Sequence, residues 1–102
     1  MDKFTLIYRI LKFYEKCLEC EDFPKEQFKA EYFKVSDVLF VNIIEMLLKD
    51  GYIDGIVTAP GTIGFKLINP RITIKGLEYL HENSMMKKIS NAAKNFIDIV
   101  KP

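Results

Sequence analysis

The first 20 residues of the chain carry apolar side chains at the spacing of an α-helix. One stripe of apolar positions recurs every three or four residues, and a second stripe runs beside it. The first stripe comprises Phe4, Ile7, Leu11, Tyr14 and Leu18, and the second comprises Leu6, Ile10, Phe13 and Cys17. We therefore predict a first helix over residues 1–20 that other elements cover on two sides.

Two further helical patterns follow, separated by a tight turn. We predict a second helix over 24–34, with Pro24 near its first turn, where a missing N–H costs nothing. A third helix is predicted over 36–50, because Ser36 is a suitable N-cap and Gly51 a suitable stop. The side chains expected to be buried are Phe28, Tyr32 and Phe33 in the second helix, and Leu39, Phe40, Ile43, Ile44, Leu47 and Leu48 in the third.

After Gly51 the pattern changes to short extended runs. YIDGIVT and IGFKLI flank APGT, whose Pro60 and Gly61 suit the centre of a tight turn, so we predict a two-stranded hairpin over 52–69. The next run, NPRIT, is interpreted as a connection that ends on Thr73, the cap of the following helix.

Helical patterns return over 73–101. The fourth helix is expected to be anchored by Leu77, Tyr79 and Leu80, and the polar pair at 83–84 separates it from a last helix over about 85–100. These elements predict a single α+β domain over residues 1–102.

The composition and charge of the chain fit one globular domain. With 102 residues and 49% hydrophobic side chains, the chain can bury a core of its own. The formal net charge is only +1, so no overall cationic field attracts the molecule to nucleic acid or to an anionic membrane. Residues 35–70 carry two basic and four acidic side chains, which makes the middle of the chain its acidic part.

The sequence offers little chemistry for a metal site, a cofactor or an active site. Cys17 and Cys20 have the spacing CLEC, but a zinc site needs about four ligands and His81 is the only other soft donor. The pair also lies near the end of the first helix, where the dipole disfavours a reactive thiolate. We interpret both cysteines as structural, and we predict a protein with no metal, no cofactor and no enzymatic activity.

Apolar runs in the chain are shorter than the roughly 20 residues that span a bilayer. Charged residues are scattered through the first helix, unlike the uninterrupted apolar stretch of a signal peptide. We therefore expect a cytoplasmic protein that does not insert into a membrane.

Several local patterns resemble a winged helix-turn-helix domain. FKAEYFKVS is similar to the second helix and turn of such domains, with Ala30 at the small position where two helices cross. VSDVLFVNIIEMLLKDGYI resembles their third helix, and ITIKGLEYL resembles the step from the wing hairpin to the final helix. The expected architecture is therefore a three-helix core, a two-stranded wing and C-terminal helices.

A more specific resemblance extends over almost the whole chain. FTLIYRILKFYEK, EMLLKDGYI and above all NPRITIKGLEYLHENSMMKK resemble the YjcQ family, small winged-helix proteins of bacteria and their phages or prophages. The resemblance implies the fold and a phage or prophage setting. It implies no activity, and therefore no catalytic residue.

The first functional hypothesis is a DNA-associated transcriptional regulator, because DNA binding is the commonest use of this fold. The third helix would enter the major groove of double-stranded DNA, where Asn42 could contact adenine. The residues predicted to contact DNA are Lys34, Ser36, Asn42, Lys49, Lys66, Arg71 and Lys75. Asp37, Glu45, Asp50 and Asp54 lie among them and oppose binding to a polyanion.

The alternative hypothesis is a protein-interaction module that keeps the fold without binding DNA. Val38 and Val41 are expected on the outer face of the third helix beside acidic Glu45, and an apolar patch with a charged rim suits a protein partner. One or both valines could instead pack beneath the wing or against the second helix. Clustering of the basic candidates would favour the regulator, and scattering of them the interaction module.

The last predicted helix carries a second interaction pattern. Its apolar residues alternate at spacings of three and four, as in helices that pack against one another. They are Met86, Ile89, Ala93, Phe96 and Val100. This stripe either packs on the second apolar side of the first helix or, together with that helix, forms a homodimer.

Overall fold

A computed structural model of the chain describes residues 2–58 and 64–83. In order, its elements are α1 (Lys3–Cys17), α2 (Ala30–Phe33), α3 (Asp37–Lys49), β1 (Ile53–Thr58) and β2 (Phe65–Ile72), followed by α4 over 74–83. The predicted turn at Pro60 and Gly61 and the predicted last helix lie outside the described residues. So do the stripe residues Met86, Ile89, Ala93, Phe96 and Val100.

Helix α1 begins at a side-chain cap and is shorter than predicted. The Asp2 carboxylate accepts hydrogen bonds from the backbone N–H of Thr5 at 3.2 Å and from its hydroxyl at 3.1 Å, and these bonds lower the pKa of Asp2. The helix ends at Cys17, with Leu18 as its C-cap. The fully buried residues lie along the seam between the two predicted stripes, and they are Leu6, Ile10, Leu11 and Tyr14. Phe4 and Leu18, at the two ends, are exposed.

The predicted start of the second helix was wrong. Residues 24–29 form successive turns, and Lys29 is extended with φ −151° and ψ 162°, so α2 is confined to Ala30–Phe33. The cause is the packing of Phe28, which lies at the centre of an aromatic cluster with centroid distances of 5.2 to 6.1 Å. Its ring neighbours are Phe13, Tyr14, Phe23, Phe33, Phe40 and Phe65. Tyr32, which was expected to be buried, is exposed.

Both predicted ends of α3 are confirmed. The Ser36 hydroxyl accepts from the backbone N–H of Leu39 at 3.1 Å. At the other end Gly51 has φ +83°, its N–H donates to Leu48, and the N–H of Tyr52 donates to Leu47. The inward face buries Phe40, Ile43, Ile44 and Leu47, while Leu39 and Leu48 are half-buried.

The two strands form an antiparallel hairpin that extends further than predicted. The run NPRIT was wrongly interpreted as a connection, because β2 continues through Pro70 to Ile72. Ile53 pairs with Ile72 and Ile56 with Leu67, so residues 68–70 bulge opposite Gly55. A bulge accommodates a proline that could not pair in a regular ladder. The bulge also shifts the alternation of inward and outward side chains along β2, so that Leu67 and Ile72 both point toward the core.

Helix α4 packs closely on the base of this hairpin. As predicted, Thr73 caps it, since its Oγ1 accepts from the N–H of Gly76 at 3.1 Å. Gly76 is buried, and a Cβ there would collide with the Tyr52 carbonyl oxygen and the Ile72 side chain. Leu80 is buried in the core, while Leu77 and Tyr79 are half-buried against it.

The helices and the hairpin surround one hydrophobic core. Within the described ranges its buried members are Leu6, Ile10, Leu11, Tyr14, Phe28, Ala30, Phe33, Phe40, Ile43, Ile44, Leu47, Ile53, Ile56, Ile72 and Leu80. Three helices, a two-stranded antiparallel hairpin and a helix that follows it form an α+β fold compatible with a winged helix. In the part of the chain that the structure describes, no helix is long and apolar enough to cross a membrane.

Candidate interaction surface

The outer face of α3 lies opposite its buried residues. Val38, Asn42, Glu45 and Lys49 recur there at spacings of four and three, and all are exposed except Glu45, which is half-buried. Val41 is half-buried at the side of the helix, so Val38 contributes the exposed apolar area of the predicted valine pair. This face carries one cation, one anion, one amide and one apolar side chain.

The residues predicted to contact DNA lie in several different environments. Lys34 ends α2 with φ +60° and is exposed in the turn before α3. Ser36 uses its hydroxyl to cap α3. Lys49 is exposed in the last turn of α3, and Lys66 is exposed on β2, where it pairs with Val57.

Lys75 and Arg71, the last two predicted DNA contacts, lie beyond the start of the hairpin, and the Lys75 side chain is engaged within the fold. Lys75 donates to the carbonyl oxygen of Asp50 at 2.8 Å, and its Nζ lies 4.6 Å from the centre of the Tyr52 ring. The exposed Arg71 lies opposite Asp54 in the strand register at the base of the hairpin and lines a cleft beside the C-terminal end of α1. Lys75 therefore stabilises the end of α3, and Arg71 lies beside the far end of α1.

An apolar groove runs between the start of α1 and one side of α3. It has a volume of about 600 Å³. Phe4 and Met46 are its most exposed apolar residues, at 70% and 55% exposure, and Ile7 and Leu39 are half-buried beside them. Lys3, Asn42, Glu45 and Lys49 also line it, together with buried Ile43. We call this feature the α1–α3 groove.

The α1–α3 groove continues toward α4 in a second cavity of about 210 Å³. The two share Phe4, Ile7, Ile43 and Met46, and the second adds Leu47, Asp50, Tyr52 and Tyr79. The rings of Tyr52 and Tyr79 meet edge to face, with centroids 5.6 Å apart. Burial raises the pKa of Tyr79, with smaller contributions from Tyr52 and Asp2. The continuous apolar surface therefore reaches from α3 past the start of α1 to α4.

Sequence reasoning did not identify this groove. It assigned Phe4 and Ile7 to a buried stripe and did not single out Met46. The feature of the sequence that was relevant to the groove is the wide apolar surface of α1, which predicted a helix covered on two sides. Packing of α1 on the described elements leaves part of that surface uncovered at Phe4 and Ile7.

A smaller cleft of about 160 Å³ contains the cysteine pair. Tyr14, Cys17, Cys20 and Arg71 are among the residues that line it. Cys20 is exposed, whereas Cys17 is half-buried, and burial raises the pKa of its thiol. A raised pKa favours the thiol over the nucleophilic thiolate. Among residues 2–58 and 64–83, no group of three or more His, Cys, Asp or Glu side chains is arranged to hold a metal ion.

Comparison with known proteins identifies a family. Neither the comparison with curated proteins nor the one with solved structures found a significant match. The family model described as YjcQ protein matches residues 8–99, which is most of the chain and includes α1 from its second turn through α4. The sequence resemblance is thereby confirmed, and the chain belongs to the YjcQ protein family.

Proposed function

We propose that this YjcQ-family protein is a protein-interaction module that binds an amphipathic helix of a partner protein in the α1–α3 groove. The observation that supports this most strongly is the exposure of Phe4 and Met46 in one groove that half-buried Ile7 and Leu39 also line. Exposed apolar residues gathered in one groove are typical of protein-binding surfaces. A helix can place apolar side chains there at spacings of three and four residues.

The charges around the groove also favour a polypeptide over a nucleic acid. Lys3 and Lys49 are balanced by Glu45 in the groove and by Asp50 in its continuation. A mixed rim of this kind can pair with either sign of charge on a protein, whereas phosphate binding requires an excess of cations. With Lys75 bound to the end of α3, the outer face of α3 adds little positive charge of its own.

Variants that change one side of α3 at a time test this function. Met46→Glu places a charge in the groove, while Val38→Glu places the same charge at a similarly exposed position outside the lining, at 55% and 58% exposure. A partner protein is expected to co-purify with the wild type and with Val38→Glu, but not with Met46→Glu. The partner's amphipathic segment, as a synthetic peptide, should show the same order of affinity in calorimetry. Identical sets of bound proteins for all three chains would contradict the proposal.

A second candidate function is a DNA-associated transcriptional regulator of phage or prophage type. A tight turn with Lys34 in the left-handed conformation joins α2 to α3, Ser36 caps α3, and Asn42 is exposed on the outer face of α3. Lys66 on the hairpin is exposed and available for a phosphate. Fold analogy adds support, since winged helices commonly bind DNA.

Titration of duplex DNA with the purified protein over a series of salt concentrations distinguishes the two functions. A regulator should bind DNA at low salt, and the logarithm of its affinity should fall linearly with the logarithm of the salt concentration. Lys66→Ala should reduce the magnitude of that slope by about 1. Lys75→Ala is the matched control, because Lys75 contacts Asp50 and Tyr52. Absence of binding at low salt would exclude this second candidate and leave the groove as the functional surface.

A further inference from the structure

A polar cleft lies between the C-terminal end of α1 and the bulge of the hairpin. Its lining comes from the last turn of α1, from the segment that follows α1 and from residues 69–71 of β2. Its volume of about 160 Å³ is far above the roughly 15 Å³ that one water molecule needs. None of its lining residues belongs to the α1–α3 groove or to the continuation of that groove. The cleft is therefore a separate site with room for a small organic ligand.

The hydroxyl of Tyr14 is a buried polar group at this cleft. Tyr14 is 1% exposed, and the rings of Phe23 and Phe28 pack on its ring with centroids 5.3 and 5.2 Å away. Burial and, to a smaller degree, the neighbouring Cys17 raise the pKa of Tyr14, and Cys17 lines the same cleft. The hydroxyl has no hydrogen-bond partner among the described residues, although buried polar groups nearly always have one. Because it stays protonated at neutral pH, it is available to donate a hydrogen bond to a ligand.

The charges of the cleft favour a singly charged anion over a phosphate. Arg71 is exposed, and its guanidinium is a planar fork that matches the two oxygens of a carboxylate. Of the described residues that line the cleft, Arg71 is the one cation and Glu21 the one anion. Asp54 lies opposite Arg71 in the strand register but does not line the cleft. A dianionic phosphate requires a larger excess of positive charge than this lining provides.

Part of the wall of the cleft is apolar. Leu18, Phe23 and Pro70 line it beside the polar groups, so a short hydrocarbon portion of a ligand finds apolar surface there. A few polar groups that fix the orientation of a ligand, next to apolar walls, are the usual arrangement of a small-molecule site. The lining therefore suits a carboxylate that carries a small apolar group better than it suits an inorganic anion.

We propose that this cleft binds a carboxylate group, which accepts hydrogen bonds from the Tyr14 hydroxyl and the Arg71 guanidinium. Binding satisfies the buried hydroxyl and pairs the exposed cation at the same time. The same planar anion occurs on small organic acids and at the C-terminal end of a peptide. The site goes beyond the helix-binding function proposed for the α1–α3 groove, and each can fail without the other.

Titration of the full-length, isotope-labelled protein with sodium acetate at pH 7, followed by NMR, tests for this site. Sodium chloride at equal ionic strength is the reference for non-specific effects of salt. Acetate is expected to shift amide resonances in a saturable way, with the largest changes at residues 17–21 and 69–71. Sodium phosphate should bind at least about tenfold more weakly, because one arginine beside a glutamate does not balance a dianion.

Tyr14→Phe and Arg71→Gln each remove one of the proposed donors. Tyr14→Phe keeps the buried ring and Arg71 is exposed, so both variants are expected to fold. The dissociation constant of acetate should rise roughly fivefold in Tyr14→Phe and roughly tenfold or more in Arg71→Gln, since the arginine contributes charge as well as hydrogen bonds. Arg9→Gln is the matched control and should bind acetate as the wild type does, because Arg9 is the chain's other arginine and does not line the cleft.

A trialanine peptide with a free C-terminal carboxylate, and the same peptide with an amidated C-terminus, separate the two sources of the carboxylate. Tighter binding of the free peptide than of acetate, lost on amidation, assigns the cleft to a peptide terminus. Binding of acetate at least as tight as that of the free peptide assigns it to a small organic acid. Equal binding of the free and amidated peptides at the cleft would contradict carboxylate recognition.

Three other results would overturn the proposal. Resonances that respond to acetate no more than to sodium chloride would leave the Tyr14 hydroxyl to bound water. Equal affinity of the wild type, Tyr14→Phe and Arg71→Gln for acetate would place the anion elsewhere on the surface. Phosphate binding as tight as that of acetate would show a general anion site with no preference for a carboxylate.

Discussion

The hydroxyl of Thr73 joins the end of α3 to the beginning of α4. Its Oγ1 donates to the carbonyl oxygen of Gly51 at 2.6 Å and accepts from the backbone N–H of Gly76 at 3.1 Å. One side chain thus satisfies a carbonyl after the C-terminus of one helix and an amide at the N-terminus of the next. Because residues 51 and 73 lie at the two ends of the hairpin segment, this contact also closes its base.

Removal of this hydroxyl should destabilise the domain. Thr73→Val keeps the shape of the side chain but loses both hydrogen bonds, so we expect the free energy of unfolding to fall by about 1–2 kcal/mol. Thr73→Ser keeps the hydroxyl and should retain most of the stability. Urea unfolding followed by circular dichroism measures both, and equal stability of Thr73→Val and wild type would contradict the role of the contact.

The glycines at 51 and 55 should differ in their tolerance of alanine. Both have positive φ, +83° and +77°, which costs an L-residue roughly 1 kcal/mol or more. At Gly51 an added Cβ meets open space, but at Gly55 it would collide with the Asn69 carbonyl in the bulge. Gly55→Ala should therefore destabilise the protein by at least about 1 kcal/mol more than Gly51→Ala, by the same urea measurement. Similar losses would mean that the bulge can relax around the added methyl group.

Substitution of Lys75 should affect stability and leave DNA affinity unchanged. Lys75→Ala loses the hydrogen bond to the Asp50 carbonyl and the contact with the Tyr52 ring, and we expect it to cost about 1 kcal/mol. Lys75→Arg keeps a cation in reach of both groups and should cost less. Thermal unfolding gives the order of stability. If Lys75→Ala were as stable as the wild type but bound DNA more weakly, Lys75 would be a DNA contact, as predicted from the sequence.

The phenol of Tyr14 makes the stability sensitive to alkaline pH. The residue is 1% exposed, its hydroxyl has no hydrogen-bond partner among the described residues, and burial raises its pKa above the ordinary value of 10.0. Above pH 10 the unfolded chain releases this proton and the folded chain keeps it, so the free energy of unfolding should fall by up to about 1.4 kcal/mol per pH unit. Below pH 10 the contribution to stability is fully present.

Tyr14→Phe isolates the contribution of the Tyr14 hydroxyl to stability and to its pH dependence. The substitution removes a buried hydroxyl that lacks a partner within the described residues, so stability at pH 7 should be equal to that of wild type or higher by about 1 kcal/mol. The difference between the two proteins should then grow in favour of Tyr14→Phe above pH 10, as measured by urea unfolding at several pH values. A large loss at pH 7 would reveal a hydrogen bond to the hydroxyl.

Features that depend on neighbouring residues in the chain could be predicted from sequence. The Ser36 cap, the Gly51 stop and the Thr73 cap are all confirmed, because each involves backbone groups within a few positions. Membership of the YjcQ family was also accessible, since NPRITIKGLEYLHENSMMKK is a long and specific run and the family matches residues 8–99. Local chemistry therefore determined both ends of α3 and the start of α4.

Features that depend on distant residues required the tertiary structure. The aromatic cluster around Phe28 shortened α2, and pairing with β1 extended β2 through Pro70, since in each case long-range packing outweighed the local pattern. The α1–α3 groove belongs to the same class. The sequence shows that Phe4 and Met46 are apolar residues of helices, but it does not show whether they are covered. The relative placement of α1 and α3 leaves both exposed on one surface. The sequence by itself determined the elements and the family, while packing between elements decided which apolar side chains remain available to bind.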